Sequence, residues 1–99
     1  MEKWVPMNKP QVVEESFTIL NELGLHARPV MLLVQAISRL NCSVSIEKDN
    51  IQADAHSVMS VLTLGAEPGS TIKVIAQGVD AAEAIEAIRK LIHDKFGED

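Results

Sequence analysis

Apolar and polar residues change period several times along the chain, and each change marks an element. Val13, Phe17 and Ile19 fall on one face of an alternating segment, 13–19, which predicts a strand. From Ala27 to Leu40 the period becomes helical, with Val30, Leu33, Val34 and Ile37 as the buried stripe and Met31 off it near the start. Cys42, Val44 and Ile46 alternate with Ser43, Ser45 and Glu47, as a half-buried strand does. Asp49-Asn50 supplies two residues that tolerate left-handed angles, so 51–53 returns as a short strand.

Ser57 opens a second helix of two turns through Leu64, with Val61, Leu62 and Leu64 as core candidates and Gly65 as its stop. After the turn Glu67-Pro68-Gly69, segment 70–76 alternates again, with Ile72, Val74 and Ala76 inward. The last element starts at Asp80-Ala81-Ala82-Glu83, a D-x-x-E form related to the capping box. It continues with Ile85, Ile88 and Ile92 on one stripe and Glu86 four residues before Lys90, and Gly97 is the predicted stop. The order strand-helix-strand-strand-helix-strand-helix predicts an α+β fold with helices on one sheet face.

Residues 1–11, with Pro6 and Pro10 and no clear period, read as a loosely ordered extension. Residues 12–99 then form one domain, and 99 residues suffice for one modest core. That core is aliphatic, because Trp4, Phe17 and Phe96 are the whole aromatic complement. So few aromatics argue against base stacking, and a net charge of −5 argues against a nucleic-acid backbone as partner. Cys42 stands alone, which fits a reducing, cytoplasmic compartment and a small buried apolar role. His26, His56 and His93 have no metal-ligand spacing, so no metal or other cofactor is expected. The longest mostly apolar stretch, 30–37, is far short of a membrane span.

The candidate chemistry lies in Gly24-Leu25-His26-Ala27-Arg28-Pro29, where a histidine stands as a helix begins. Pro29 suits the first helical positions, and Gly24 suits a sharp turn. His26 then sits beside backbone N–H groups that have no intrahelical partner, with Arg28 adding positive charge. An imidazole next to such an anion site could accept and hold a phosphoryl group. Histidine is not a favoured N-cap residue, however, and a solvent-facing histidine in a turn is commonplace. The residues alone leave both readings open.

These six residues match, position for position, the active-site signature of the HPr family, the histidine-containing phosphocarriers of the bacterial phosphotransferase system. Residues 57–65, Ser-Val-Met-Ser-Val-Leu-Thr-Leu-Gly, resemble its second signature, and the 31-residue step from His26 to Ser57 is the family's spacing. The resemblance runs over about residues 13–96. It implies an open-faced sandwich of four antiparallel strands covered on one face by three helices. It further implies a carrier rather than an enzyme. His26 would take a phosphoryl group on Nδ1 from enzyme I charged by phosphoenolpyruvate, and pass it to EIIA domains for sugar uptake. The sequence does not itself tell the two ring nitrogens apart.

Attack on phosphorus needs a neutral imidazole, which the helix N-terminus and Arg28 both favour. Arg28 and the N–H groups around Ala27 and Arg28 would then hold the phosphate. Met31, Val58 and Met59 form the expected docking patch, although aliphatic residues at helical spacing are usually core. Ser57 has two readings, a helix N-cap and, by resemblance, a site phosphorylated by an HPr kinase/phosphorylase that switches binding of a transcription regulator in catabolite control. A nitrogen-type regulatory carrier is the other reading of the same chemistry. The chain departs from the family pattern at His56, where lysine is frequent, and at Ser60, where the serine-regulated branch commonly has glycine. Asp54 adds negative charge near Ser57, and none of these departures touches the His26 segment.

Overall fold

The computed structural model describes residues 11–98. Four antiparallel strands form one sheet: β1 (Gln11–Thr18), β2 (Cys42–Lys48), β3 (Ile51–Asp54) and β4 (Thr71–Gly78), in the order β1-β4-β2-β3. Three helices, α1 (Ala27–Ile37), α2 (Val58–Leu62) and α3 (Ala81–His93), complete the predicted order. The family's four-stranded, three-helix architecture is therefore present. Gln11 belongs to β1 rather than to the predicted extension, whose other residues lie outside those described.

Register explains the core. Phe17 faces Ile72 across β1 and β4, and Val13 and Val44 flank Ala76 from either side. Ile46 lies between Val74 and Ala53 in the same way. A period of two places these side chains on one face, because neighbours across strands share the pleat. α3 covers that face with Ala84, Ile85, Ile88 and Ile92, and α1 adds Val30, Leu33 and Ile37, all buried. Burying each large aliphatic side chain contributes about 1.5–3 kcal/mol against leaving it exposed. The β2–β3 reversal uses Asp49 and Asn50, both left-handed (φ 52° and 67°), as their residue types predict.

The helix ends differ from expectation. α1 stops at Ile37, because the Ser38 N–H and Oγ both turn back to the Gln35 carbonyl and tighten the chain out of the helix. Leu40 still packs against the core, while Val34 is only half-buried. α2 ends at Leu62, two residues short of Leu64, which is buried past the helix end. At the start of α3, Asp80 makes no capping bond. Its Oδ2 instead accepts from the Asn41 N–H at 2.7 Å, tying the helix to the turn before β2.

α3 ends at His93, and Gly97 instead closes a short 3-10 turn, Lys95–Gly97, in which Phe96 is left-handed (φ 54°) and buried. Glu86 pairs with Arg89 rather than Lys90, and Lys90 has no ion pair among the described residues. Arg89 also donates to both oxygens of Glu15, which sits on β1 between Val13 and Phe17, so the pair clamps the helix to an edge strand.

Candidate functional site

The loop between β1 and α1 is pinned by the segment that leads into β4. Ile19 accepts from the Gly69 N–H and donates to Ser70, and the Leu25 N–H donates to the Ala66 carbonyl at 2.9 Å. Gly24 is left-handed (φ 69°), and a Cβ there would stand 2.5 Å from the Ala66 oxygen. Only glycine lets the loop lie this close to segment 66–68. Asn21, fully buried, donates from Nδ2 to the Gly24 carbonyl at 2.6 Å and completes the turn.

His26 leaves this loop as the N-cap of α1, in extended conformation, and its carbonyl accepts the first helical bond from Val30. Its side chain makes no capping bond, so the ring is directed elsewhere. The next two residues, Ala27 and Arg28, have N–H groups with no acceptor among the described residues, and Pro29 has none to offer. Arg28 is exposed and forms no ion pair among the described residues. The positive end of an 11-residue helix and an exposed guanidinium thus share the first turn with the imidazole.

The sequence reading missed the ring's partner. His26 Nε2 lies 2.9 Å from Glu98 Oε2, a side chain 72 positions away, and the ring keeps 38% of its surface exposed. Asn21 Nδ2 donates to the same Glu98 oxygen at 3.0 Å. The His26 hydrogen bond holds the Glu98 carboxyl below the ordinary 4.5, with help from Asn21 and the Leu23 backbone and against an opposing effect of burial. An ionised carboxylate only accepts, so Nε2–H is the donor, and in a neutral ring the lone pair is then on Nδ1.

The other expected residues are distributed as follows. Ser57 is the N-cap of α2, its Oγ accepting from the Ser60 N–H at 3.3 Å. Asp54 turns to its own segment, accepting from the His56 N–H at 2.9 Å, with His56 Nδ1 at 3.5 Å. α1 and α2 touch. Met31 and Met59 are exposed, whereas Val58 packs partly against the core and offers little surface. Leu20 and Leu23, on the loop that carries His26, are exposed apolar residues that periodicity did not single out. Cys42 is half-buried, and burial, then Asp80 and Glu83, push its thiol up. Among the described residues no helix is long and apolar enough to cross a membrane, and no cluster of metal-binding side chains occurs.

A family model described as "PTS HPr component phosphorylation site" matches residues 13–94. The Phosphocarrier protein HPr of Treponema pallidum is 36% identical over 88 residues, covering 89% of this chain and 100% of that protein. A Multiphosphoryl transfer protein of Haemophilus influenzae is 35% identical over 89 residues, which are 87% of this chain and 18% of that larger protein. Among solved structures, HPr-C-His from Thermoanaerobacter tengcongensis superposes with a TM-score of 0.84 at 42% identity, covering 88% of this chain and 98% of that one.

Proposed function

The chain belongs to the HPr family of phosphocarriers of the phosphotransferase system, and from that premise we propose that His26 accepts a phosphoryl group from phosphorylated enzyme I and donates it to EIIA domains. The observation that carries this reading is the exposed imidazole at the N-cap of α1, beside the exposed Arg28 side chain and the N–H groups of Ala27 and Arg28, all unpartnered among the described residues. The Nδ1 lone pair attacks phosphorus, the donor's bond to phosphorus breaks, and that electron pair returns to the donor. Transfer to EIIA runs the same exchange outward. The new dianion faces the helix terminus, which contributes about 0.3–1 kcal/mol at a surface. Weak holding suits a carrier, because the phosphate must leave again. The chain acts by this exchange between proteins rather than as an enzyme with a substrate pocket of its own, and in the cytoplasm.

Met31 and Met59, with the edge of Val58, give partners an apolar surface to dock on. Ser57 is a second site of control in this reading. A kinase that phosphorylated it would add about −1.5 to −2 charges at the start of α2 while leaving oxygens to accept from Ser60. The effect would fall on docking, including that of a transcription regulator. The first test is mass spectrometry of acid-labile phosphate after incubation with enzyme I and phosphoenolpyruvate. One phosphate on the native protein and none on His26→Ala is expected. A His26→Ala variant that is phosphorylated normally would overturn the assignment.

A further inference from the structure

We propose that Glu98 and Asn21 are positioning residues that fix which nitrogen of His26 takes the phosphoryl group, a proposal that rests on reading His26 as the acceptor. The geometry is a chain of three side chains: Asn21 Nδ2 to Glu98 Oε2 at 3.0 Å, and Glu98 Oε2 to His26 Nε2 at 2.9 Å. Glu98 is more covered than the ring it holds, with 14% of its side chain exposed against 38%. The donor end of Asn21 is dictated by its neighbours. Both the Gly24 carbonyl and the Glu98 carboxylate are acceptors, so only the NH2 group can face them. The other end of the amide, Oδ1, is buried without a partner among the described residues. Buried polar atoms are nearly always satisfied, so an orphan oxygen marks an amide kept for what its nitrogen holds.

Glu98 does not reach the ring by chance of a loose end. Phe96, two residues earlier, is left-handed and buried in the core, and the Glu98 N–H donates to the Lys95 carbonyl at 2.9 Å. The segment is therefore anchored immediately before the contact. With Nε2–H committed to a carboxylate, the neutral ring has one tautomer and one orientation, and its nucleophile is Nδ1. When the Nδ1–P bond forms, the ring gains positive charge while Nε2 keeps its proton, and Glu98 balances that charge from the far edge of the ring. When phosphate moves on, the bonding pair returns to Nδ1 and the same tautomer is restored. Glu98 touches neither phosphorus nor the leaving group. The same logic governs histidines whose second nitrogen is oriented by a carboxylate in metal sites.

The experiment compares the native protein with Glu98→Ala and Glu98→Gln by long-range 1H–15N NMR of neutral His26 and by phosphoryl transfer from phosphorylated enzyme I at varied carrier concentration. The native ring is expected as the Nε2–H tautomer alone. Glu98→Ala should show both tautomers and a maximal transfer rate lower by about ten- to a hundredfold, with the half-saturating carrier concentration unchanged. Glu98→Gln, which keeps an accepting oxygen, should restore the single tautomer. A single Nε2–H tautomer and native transfer rate in Glu98→Ala would overturn the proposal. If the native protein takes no phosphate, the carrier reading fails, whereas the tautomer comparison still decides the role of Glu98.

Discussion

Replacing Gly24 and Gly65 by alanine separates backbone strain from close approach, because the two glycines share a conformation and differ in surroundings. Both are left-handed, at φ 69° and 62°. That conformation costs an L-residue about 1–2 kcal/mol, and this cost is common to both variants. Around Gly65 nothing lies within 4 Å of the added Cβ, so strain is the whole effect. At Gly24 the Cβ would stand 2.5 Å from the Ala66 oxygen and 3.1 Å from the Glu67 Cα, both backbone atoms that no side-chain rotation moves. Relief requires the loop to back away from segment 66–68, and the hydrogen bond from Leu25 N–H to Ala66 then breaks. An unsatisfied buried amide adds about 1–3 kcal/mol, giving about 2–5 kcal/mol in all for Gly24→Ala. In a domain of this size each kcal/mol shifts the melting temperature by about 4–8 °C, so Gly24→Ala should melt at least about 4 °C below Gly65→Ala. Thermal and urea denaturation followed by circular dichroism measure both. Transfer to and from His26 should fall in Gly24→Ala and hold in Gly65→Ala, since only the first displaces the loop. Equal melting temperatures for the two variants would refute the close-approach reasoning.

Two further outcomes test the frame around the site. Ser57→Ala removes the side-chain N-cap of α2 and should cost about 1 kcal/mol in urea unfolding, while Ser57→Asp retains an accepting oxygen and recovers most of it. For Arg89→Met the outcome depends on pH. The Arg89 hydrogen bond, against a smaller effect of burial, holds the Glu15 carboxyl below its ordinary 4.5. A depressed carboxylate pKa gives stability that is present above 4.5 and lost as pH falls through the folded value. The native protein should therefore exceed Arg89→Met in stability at neutral pH, and the gap in unfolding free energy should close progressively below pH 4.5.

What could be read from the chain depended on how far each signal reaches. Strand faces and helix stripes are local, and Phe17, Ile46, Val74, Leu33 and Ile88 lie where alternation and helical spacing put them. The His26 loop was legible for the same reason, since Gly24, His26 and Pro29 each act on the backbone beside them. Asp80 was misread because a donor 39 positions away, the Asn41 N–H, competes for its carboxylate and wins over the local cap. Glu98 was invisible because no period or spacing links it to His26. Yet the physical cause lies in one residue. Phe96, four positions after Ile92, is buried although α3 has already ended at His93. The left-handed pair Lys95 and Phe96 makes the turn that carries it into the core. Whatever polar residue follows is then delivered to the rim of the core, and the rim at that point is the loop of Asn21 and His26. Hydrophobic burial of Phe96 thus decides which carboxylate meets the ring, which is why the partner of His26 has to be sought in the core and not in its own motif.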